Sequence, residues 1–210
     1  CLMLGIAYKK IMMHEQKKCF GEENPDVIFY VIRLFPLAAG YLCNYNYVLG
    51  YMKHAYDNGW VPVVDMENYK TMYSMDMSVH GTHNVWEYIF KQPIDISTGK
   101  RYTLEEVYRS KNVILSDGSE FFYNDSGDKD VLAWQHIMSE RVPFADEVME
   151  HVKVEYEKVL KTIEGEKIIG VPIRGTDLNK RVIGHPRQAT PEELIEIITE
   201  FINLIFMVKL

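Results

Sequence analysis

Residues 26–66 read as strand, helix, strand, and that order constrains the fold more than any other feature of the chain. "DVIFYVIR" (26–33) is a run of β-branched and aromatic residues ending in Arg33. In "YLCNYNYVLGYMKHAYDNG" (41–59), Leu42, Tyr45, Leu49, Met52 and Tyr56 recur at helical spacing, and Gly59 is placed to end the helix in a left-handed cap. "WVPVVDM" (60–66) is the next strand. Two strands joined through a helix within some forty residues lie parallel, by a right-handed crossover. The fold class is therefore α/β, with a parallel sheet in the N-terminal half.

Residues 67–102 read as irregular, punctuated by Gly81, Pro93 and Gly99, with one short helix, "NVWEYIF", packed by Trp86 and Phe90. Thr103 with Glu106 three residues on is a capping box opening the helix "LEEVYRSK", and "NVILSDG" (112–118) is a third strand. The polar stretch "YNDSGDKD" reads as a mobile loop. Pro143 starts a long helix with Phe144, Val148, Val152, Tyr156, Val159 and Ile163 on one face and Gly165 at its end. A further apolar strand is expected at 167–173, and Thr190, Pro191, Glu192 and Glu193 open the final helix with a second capping box. The organisation expected is a first α/β domain over 1–165, with 143–164 as connector helix, and the beginning of a second, Rossmann-like domain over 166–210. Residues 201–208 are apolar almost all round, which a helix tolerates when it is covered on every side. Little in the chain is left to cover them, so a fragment of a longer protein is expected, and self-association through this helix is the other way to cover it. Glu200 and Asn203 interrupt the run, so it is not read as a membrane span, which leaves peripheral membrane association open.

Charge narrows the partners. A net charge of -7 argues against a nucleic-acid surface, which needs a dense Lys/Arg field, but leaves room for a local basic pocket around one anionic ligand. Three cysteines, with no C-x-x-C spacing, give neither a disulfide framework nor a zinc site, and reduced thiols in the cytoplasm are the simplest reading. The first residues lack the order of a signal peptide. His80, His83, His136, His151 and His185 show no metal-ligand spacing, so no metal is expected. Serine-nucleophile hydrolysis has no G-x-S-x-G elbow to support it.

Two stretches carry candidate chemistry. The expected 167–173 strand runs into Arg174, Gly175, Thr176 and Asp177. In open α/β sheets ligands bind at the carboxyl ends of the strands. There Arg174 offers a planar fork of donors to a diphosphate, Gly175 admits a ligand close to the backbone, Thr176 has a hydroxyl to donate, and Asp177 holds the guanidinium. His185, before Pro186, is within reach of the same loop. The plain alternative is a surface Arg–Asp ion pair with a surface histidine, worth little energetically. The second stretch, "LAAGYLCNYNY", places Gly40, Asn44 and Asn46 near a helix start, where free N–H groups attract anions, although asparagines there also serve as caps. It has neither the G-x-G-x-x-G spacing nor the P-loop Lys-Ser/Thr pair.

"IIGVPIRGTDLNKRVIGHP" resembles the first signature of the GDP-fucose-dependent fucosyltransferases related to the α-1,6-fucosyltransferases and nodulation fucosyltransferases. "NPDVIFYVIR", "NVWEYIFKQP" and "TLEEVYRSKNVILSDG" look like bacterial proteins of polysaccharide-biosynthesis clusters. The resemblance implies a GT-B-like pair of α/β domains with a nucleotide sugar, GDP-fucose, in the cleft, a glycan acceptor and no metal. It implies Arg174 as the catalytic arginine on the donor diphosphate, with Asp177 beside it and Gly175, Thr176 and His185 around it. Gly40, Asn44 and Asn46 would then face the donor from the N-terminal domain. Gly175 and Pro172 depart from the usual arginine and histidine, and UDP- and GDP-linked donors are not distinguished. The expected reaction is displacement at the anomeric carbon; Asp65 and Asp117, each closing a strand, are the candidates for a base. The rival reading is a non-catalytic carbohydrate-binding or scaffold protein of a polysaccharide locus.

Overall fold

A computed structural model describes residues 15–34, 40–118, 131–162 and 190–207. In it the chain divides into two compact units, Cys1–Lys158 and Val159–Leu210.

The first unit is built on a four-stranded open sheet of order β1-β4-β2-β3. Strands β2 (Glu23–Ile32), β3 (Val61–Val64) and β4 (Ser110–Leu115) are parallel, and β1 (Gln16–Lys18) pairs antiparallel with β4 at one edge. Phe29 sits opposite Val61 on one side and Val113 on the other, which sets the register of the whole sheet. Phe29, Tyr30, Val31 and Ile32 are all buried, as expected of a central parallel strand covered on both faces. Tyr30 and Ile32 face helix α1 (Tyr41–Asp57), with Val48, Tyr51 and Met52, Trp86 from a short 3₁₀ turn (Val85–Tyr88), and Trp134 and Met138 from α3 (Val131–Glu140). Phe29 and Val31 face the opposite layer, where Tyr102 and Val107 pack on Val61, Val63, Val113 and Leu115. Val107 ends the one-turn helix α2 (Leu104–Val107).

The α/β reading and the strand–helix–strand unit hold, with three local differences. First, Leu42 is 72% exposed, because the buried side of α1 is centred on Val48, Tyr51, Met52 and Ala55 instead. Second, the expected helix "LEEVYRSK" stops after one turn. Its capping box is present, but Ser110 is drawn into the sheet, its carbonyl accepting from the Phe20 and Gly21 N–H groups. Third, three polar residues with no alternation gave no sign of β1. At the other end of α1, Gly59 has φ +73, the left-handed stop anticipated.

Among the described residues β3 has a neighbouring strand on one side only, and its other edge is met by side chains. Gln92 Oε1 accepts from Val64 N (2.8 Å) and Gln92 Nε2 donates to Val64 O (2.9 Å), the two bonds a neighbouring strand would make. Asn84 also donates to Val64 O (2.8 Å) and accepts from Met66 N (3.0 Å). Glu87 accepts from both amides and from Thr82 Oγ1, holding them in place. Beyond this edge, residues 89–94 pair with 141–145 through Lys91 N to Pro143 O and Ala145 N to Ile89 O.

α4 (Asp146–Thr162) follows, with Val152, Tyr156 and Val159 of its expected apolar face exposed. The division between the units falls within α4, ahead of the Gly165 boundary expected. In the second unit α5 (Pro191–Met207) begins at the anticipated capping box, with Thr190 N on Glu193 Oε2 (2.9 Å) and Glu193 N on Thr190 Oγ1 (3.3 Å). The 167–173 strand, the "YNDSGDKD" loop and Ile163 lie outside the described residues. Among the described residues no helix is long and apolar enough to cross a membrane.

Gly21 tests the packing where β2 begins. A Cβ there would stand 2.3 Å from the backbone oxygen of Arg109, whereas one on Gly40 meets nothing within 4 Å. Gly21→Ala is expected to cost about 1–3 kcal/mol in urea unfolding, and Gly40→Ala less than about 1 kcal/mol. Equal midpoints for the two variants would refute the close approach.

Candidate functional site

The chain steps from β2 out to β3 and then back past β2 to β4, so strand order reverses at β2. The crevice outside the carboxyl ends of β2 and β4 is where an open parallel sheet binds ligands. One residue beyond the end of each parallel strand stands a polar side chain: Arg33 after β2, Asp65 after β3 and Ser116 after β4. All three are buried.

Arg33 and Ser116 clasp the two central strands together. Arg33 N donates to Ser116 Oγ (3.0 Å), Ser116 Oγ donates to Arg33 O (3.0 Å), and Arg33 Nε donates to Ser116 O (2.6 Å). The guanidinium lies 5.1 Å from the centre of the Tyr69 ring. Only 5% of Arg33 is exposed, its Nη2 is buried without a hydrogen-bond partner, and no carboxylate among the described residues lies within ion-pair distance of it.

Asp65 is used up internally. Its carboxylate accepts from the N–H groups of Glu67 (3.1 Å) and Asn68 (2.8 Å), from Asn68 Nδ2 (3.0 Å) and from the Tyr108 hydroxyl (2.5 Å). With no exposed surface and four donors on it, Asp65 fixes the turn after β3 and does not meet a substrate hydroxyl, so its candidacy as a base is withdrawn. Burial, then the charge and hydrogen bond of Asp65, push the Tyr108 phenol well above its ordinary range. Asp117 is partly exposed and accepts from Tyr51 of α1 (2.5 Å).

Gly40 is the N-cap of α1, with no side-chain cap and no acidic residue in the first turn, so this helix end keeps its positive character. Asn44 is buried and Asn46 exposed. Two residues apart on a helix, they point away from each other and do not form one site. Neither caps the helix. Arg174, Gly175, Thr176, Asp177 and His185 lie outside the described residues.

A concavity of about 360 Å³ opens elsewhere, beside His80, Glu87, Lys91, Arg101, Tyr102 and Asp146. His80 (φ 51) and Gly81 (φ 81) form a tight turn at its rim. Several of its charged groups are already engaged, Lys91 on Asp146 (2.7 Å) and Arg101 on the backbone oxygens of Gln92 and Arg141. The carboxyl edge is therefore the stronger site. Among the described residues no three His, Cys, Asp or Glu side chains are grouped to hold a metal ion. Compared with family models, curated proteins and solved structures, the chain matches none.

Arg33 was legible as a strand end but not as a site. The signal was present: an apolar strand that stops in arginine, the pattern that singles out Arg174.

Two outcomes test this description. Asp65→Asn replaces one acceptor oxygen with an N–H₂ group facing donors, and is expected to cost about 1–3 kcal/mol in unfolding; a neutral effect would contradict the four-donor arrangement. The phenols of Tyr30, Tyr41, Tyr56 and Tyr108 are all raised, chiefly by burial. A raised folded-state pKa gives stability that is complete below the ordinary phenol value of about 10 and is lost as pH climbs above it. Phenolate absorbance from these residues should appear together with loss of near-ultraviolet circular dichroism; ionisation while the fold stays intact would overturn the assignment.

Proposed function

We propose that the protein is a glycosyltransferase of GT-B-like architecture, moving a sugar, fucose on the resemblance, from a nucleoside diphosphate to a glycan acceptor in surface-polysaccharide synthesis at the cytoplasmic side of the membrane. The observation that carries the reading is the reversal of strand order in an open parallel sheet, with Arg33 and Ser116 at the carboxyl ends of the two strands that flank it. Supporting it is the run "IIGVPIRGTD", in which a second apolar stretch ends in arginine.

In the proposed reaction a hydroxyl oxygen of the acceptor attacks the anomeric carbon of the donor. The bond from that carbon to the diphosphate oxygen breaks, and its electron pair leaves with the diphosphate. Arg174 neutralises the charge growing on that oxygen and Asp177 orients the guanidinium. Thr176, Gly175 and His185 line the diphosphate, and the acceptor's proton passes to a base or to solvent. Such stabilisation of a developing charge is commonly the largest single contribution to the rate.

The test is transfer of labelled fucose from GDP-fucose to a polysaccharide acceptor, with calorimetry of GDP against UDP. Arg174→Ala is expected to lower turnover by about 100- to 1,000-fold with the fold intact. Wild-type turnover in that variant would remove Arg174 from the mechanism. Failure of the unaltered chain to bind any nucleotide would favour the scaffold or carbohydrate-binding role.

A further inference from the structure

We propose that Arg33 is the core of an oxyanion site in the first unit, one that takes a phosphoryl group at the carboxyl ends of β2 and β4. The inference does not depend on sugar transfer, and nothing in the argument for Arg174 requires it.

An arginine side chain remains charged throughout the physiological range. Burying such a charge is costly unless an opposite charge and hydrogen bonds compensate. Arg33 is buried at 5% exposure, yet it has no carboxylate partner among the described residues and its Nη2 has no acceptor. Other buried polar side chains nearby are satisfied: Asp65 by four donors, Asn84 by Val64, Met66 and Glu87, and Gln92 by Val64 and Glu87. The Tyr88 hydroxyl is also buried without a partner, but it is neutral; Arg33 carries a charge, and a buried charged donor left over among satisfied neighbours is a place where an ion or ligand would complete the bonding.

The arginine is also held ready. Nε is anchored on Ser116 O and the plane lies against Tyr69, so the guanidinium is fixed by contacts that leave Nη2 unused. A fixed planar fork favours phosphoryl and carboxylate oxygens over chloride. Phosphoryl is favoured over carboxylate by position. Arg33 stands at the reversal of strand order, and the 17-residue helix α1, which has no side-chain cap and no acid in its first turn, begins eight positions later in the chain. Helix N-termini following a parallel strand attract phosphate through free N–H groups and the helix dipole.

The experiment titrates inorganic pyrophosphate, with acetate and chloride as controls, into ¹⁵N-labelled full chain. It follows the Arg33 Nε–H resonance, assigned by its loss in Arg33→Met, together with the melting temperature. The expected result is a saturating shift of that resonance by pyrophosphate, at least tenfold tighter than acetate, and a pyrophosphate-dependent rise in melting temperature. Arg33→Met should melt within a few degrees of the ligand-free parent, since it removes an uncompensated charge, and lose at least tenfold in pyrophosphate affinity. Arg33→Lys keeps the charge without the fork and should lose about as much; it replaces Arg33→Met as the test if the latter does not fold. Arg174→Ala should leave the Arg33 shift in place. GDP and a sugar phosphate titrated in parallel tell whether the phosphoryl group comes from a nucleotide or from a phosphorylated sugar. No shift at Arg33, a shift lost in Arg174→Ala, or a pyrophosphate-dependent rise in melting temperature that persists undiminished in Arg33→Met, would overturn the proposal.

Discussion

The first unit depends on the double ladder of β2. A strand with parallel partners on both sides satisfies its backbone within the sheet and leaves both of its faces for burial. Because Phe29 aligns with Val61 and with Val113, one register decides which side chains meet α1 and which meet Tyr102 and Val107. A slip of one residue would exchange the two sets, sending Tyr30 and Ile32 into the layer shaped for Phe29 and Val31. The same register, which aligns Val31 with Leu115, brings Arg33 within one position of Ser116 on the neighbouring strand, so the site inherits its geometry from the core.

That inheritance explains why polar residues just beyond the strands are buried. Arg33, Asp65 and Ser116 continue the pleat for one residue into a region already closed by packing. Asp65 and Ser116 meet their requirements with neighbouring backbone and hydroxyl groups. Arg33 does so only in part, and it is there that the sheet departs from the rule that buried polar groups are paired.

Much of the fold was legible in the sequence because its signals are local. β-branched runs gave the three parallel strands, Gly59 the end of α1, and the Thr103 and Thr190 boxes the starts of α2 and α5. What escaped the reading depends on partners distant in sequence. β1 exists only because β4 offers it an edge. α2 is short because Phe20 and Gly21 claim the carbonyl of Ser110. The exposure of Leu42 follows from which side of α1 Trp86 and Trp134 reach. For the site, sequence spacing alone placed Asn44 and Asn46 together, whereas helix geometry separates them. Asp65 looked available because a strand-terminal carboxylate is visible in sequence and the Tyr108 hydroxyl that occupies it, 43 positions away, is not.

The amides of Asn84 and Gln92 on the outer edge of β3 have a consequence for association. An open sheet edge is a template on which another extended segment can assemble, in recognition or in aggregation. Here the N–H and C=O of Val64 are already taken by two side chains that bring no backbone of their own to extend the ladder. Residues 84 and 92 thus terminate the sheet chemically: they make the hydrogen bonds of a next strand while presenting nothing on which a further one could grow.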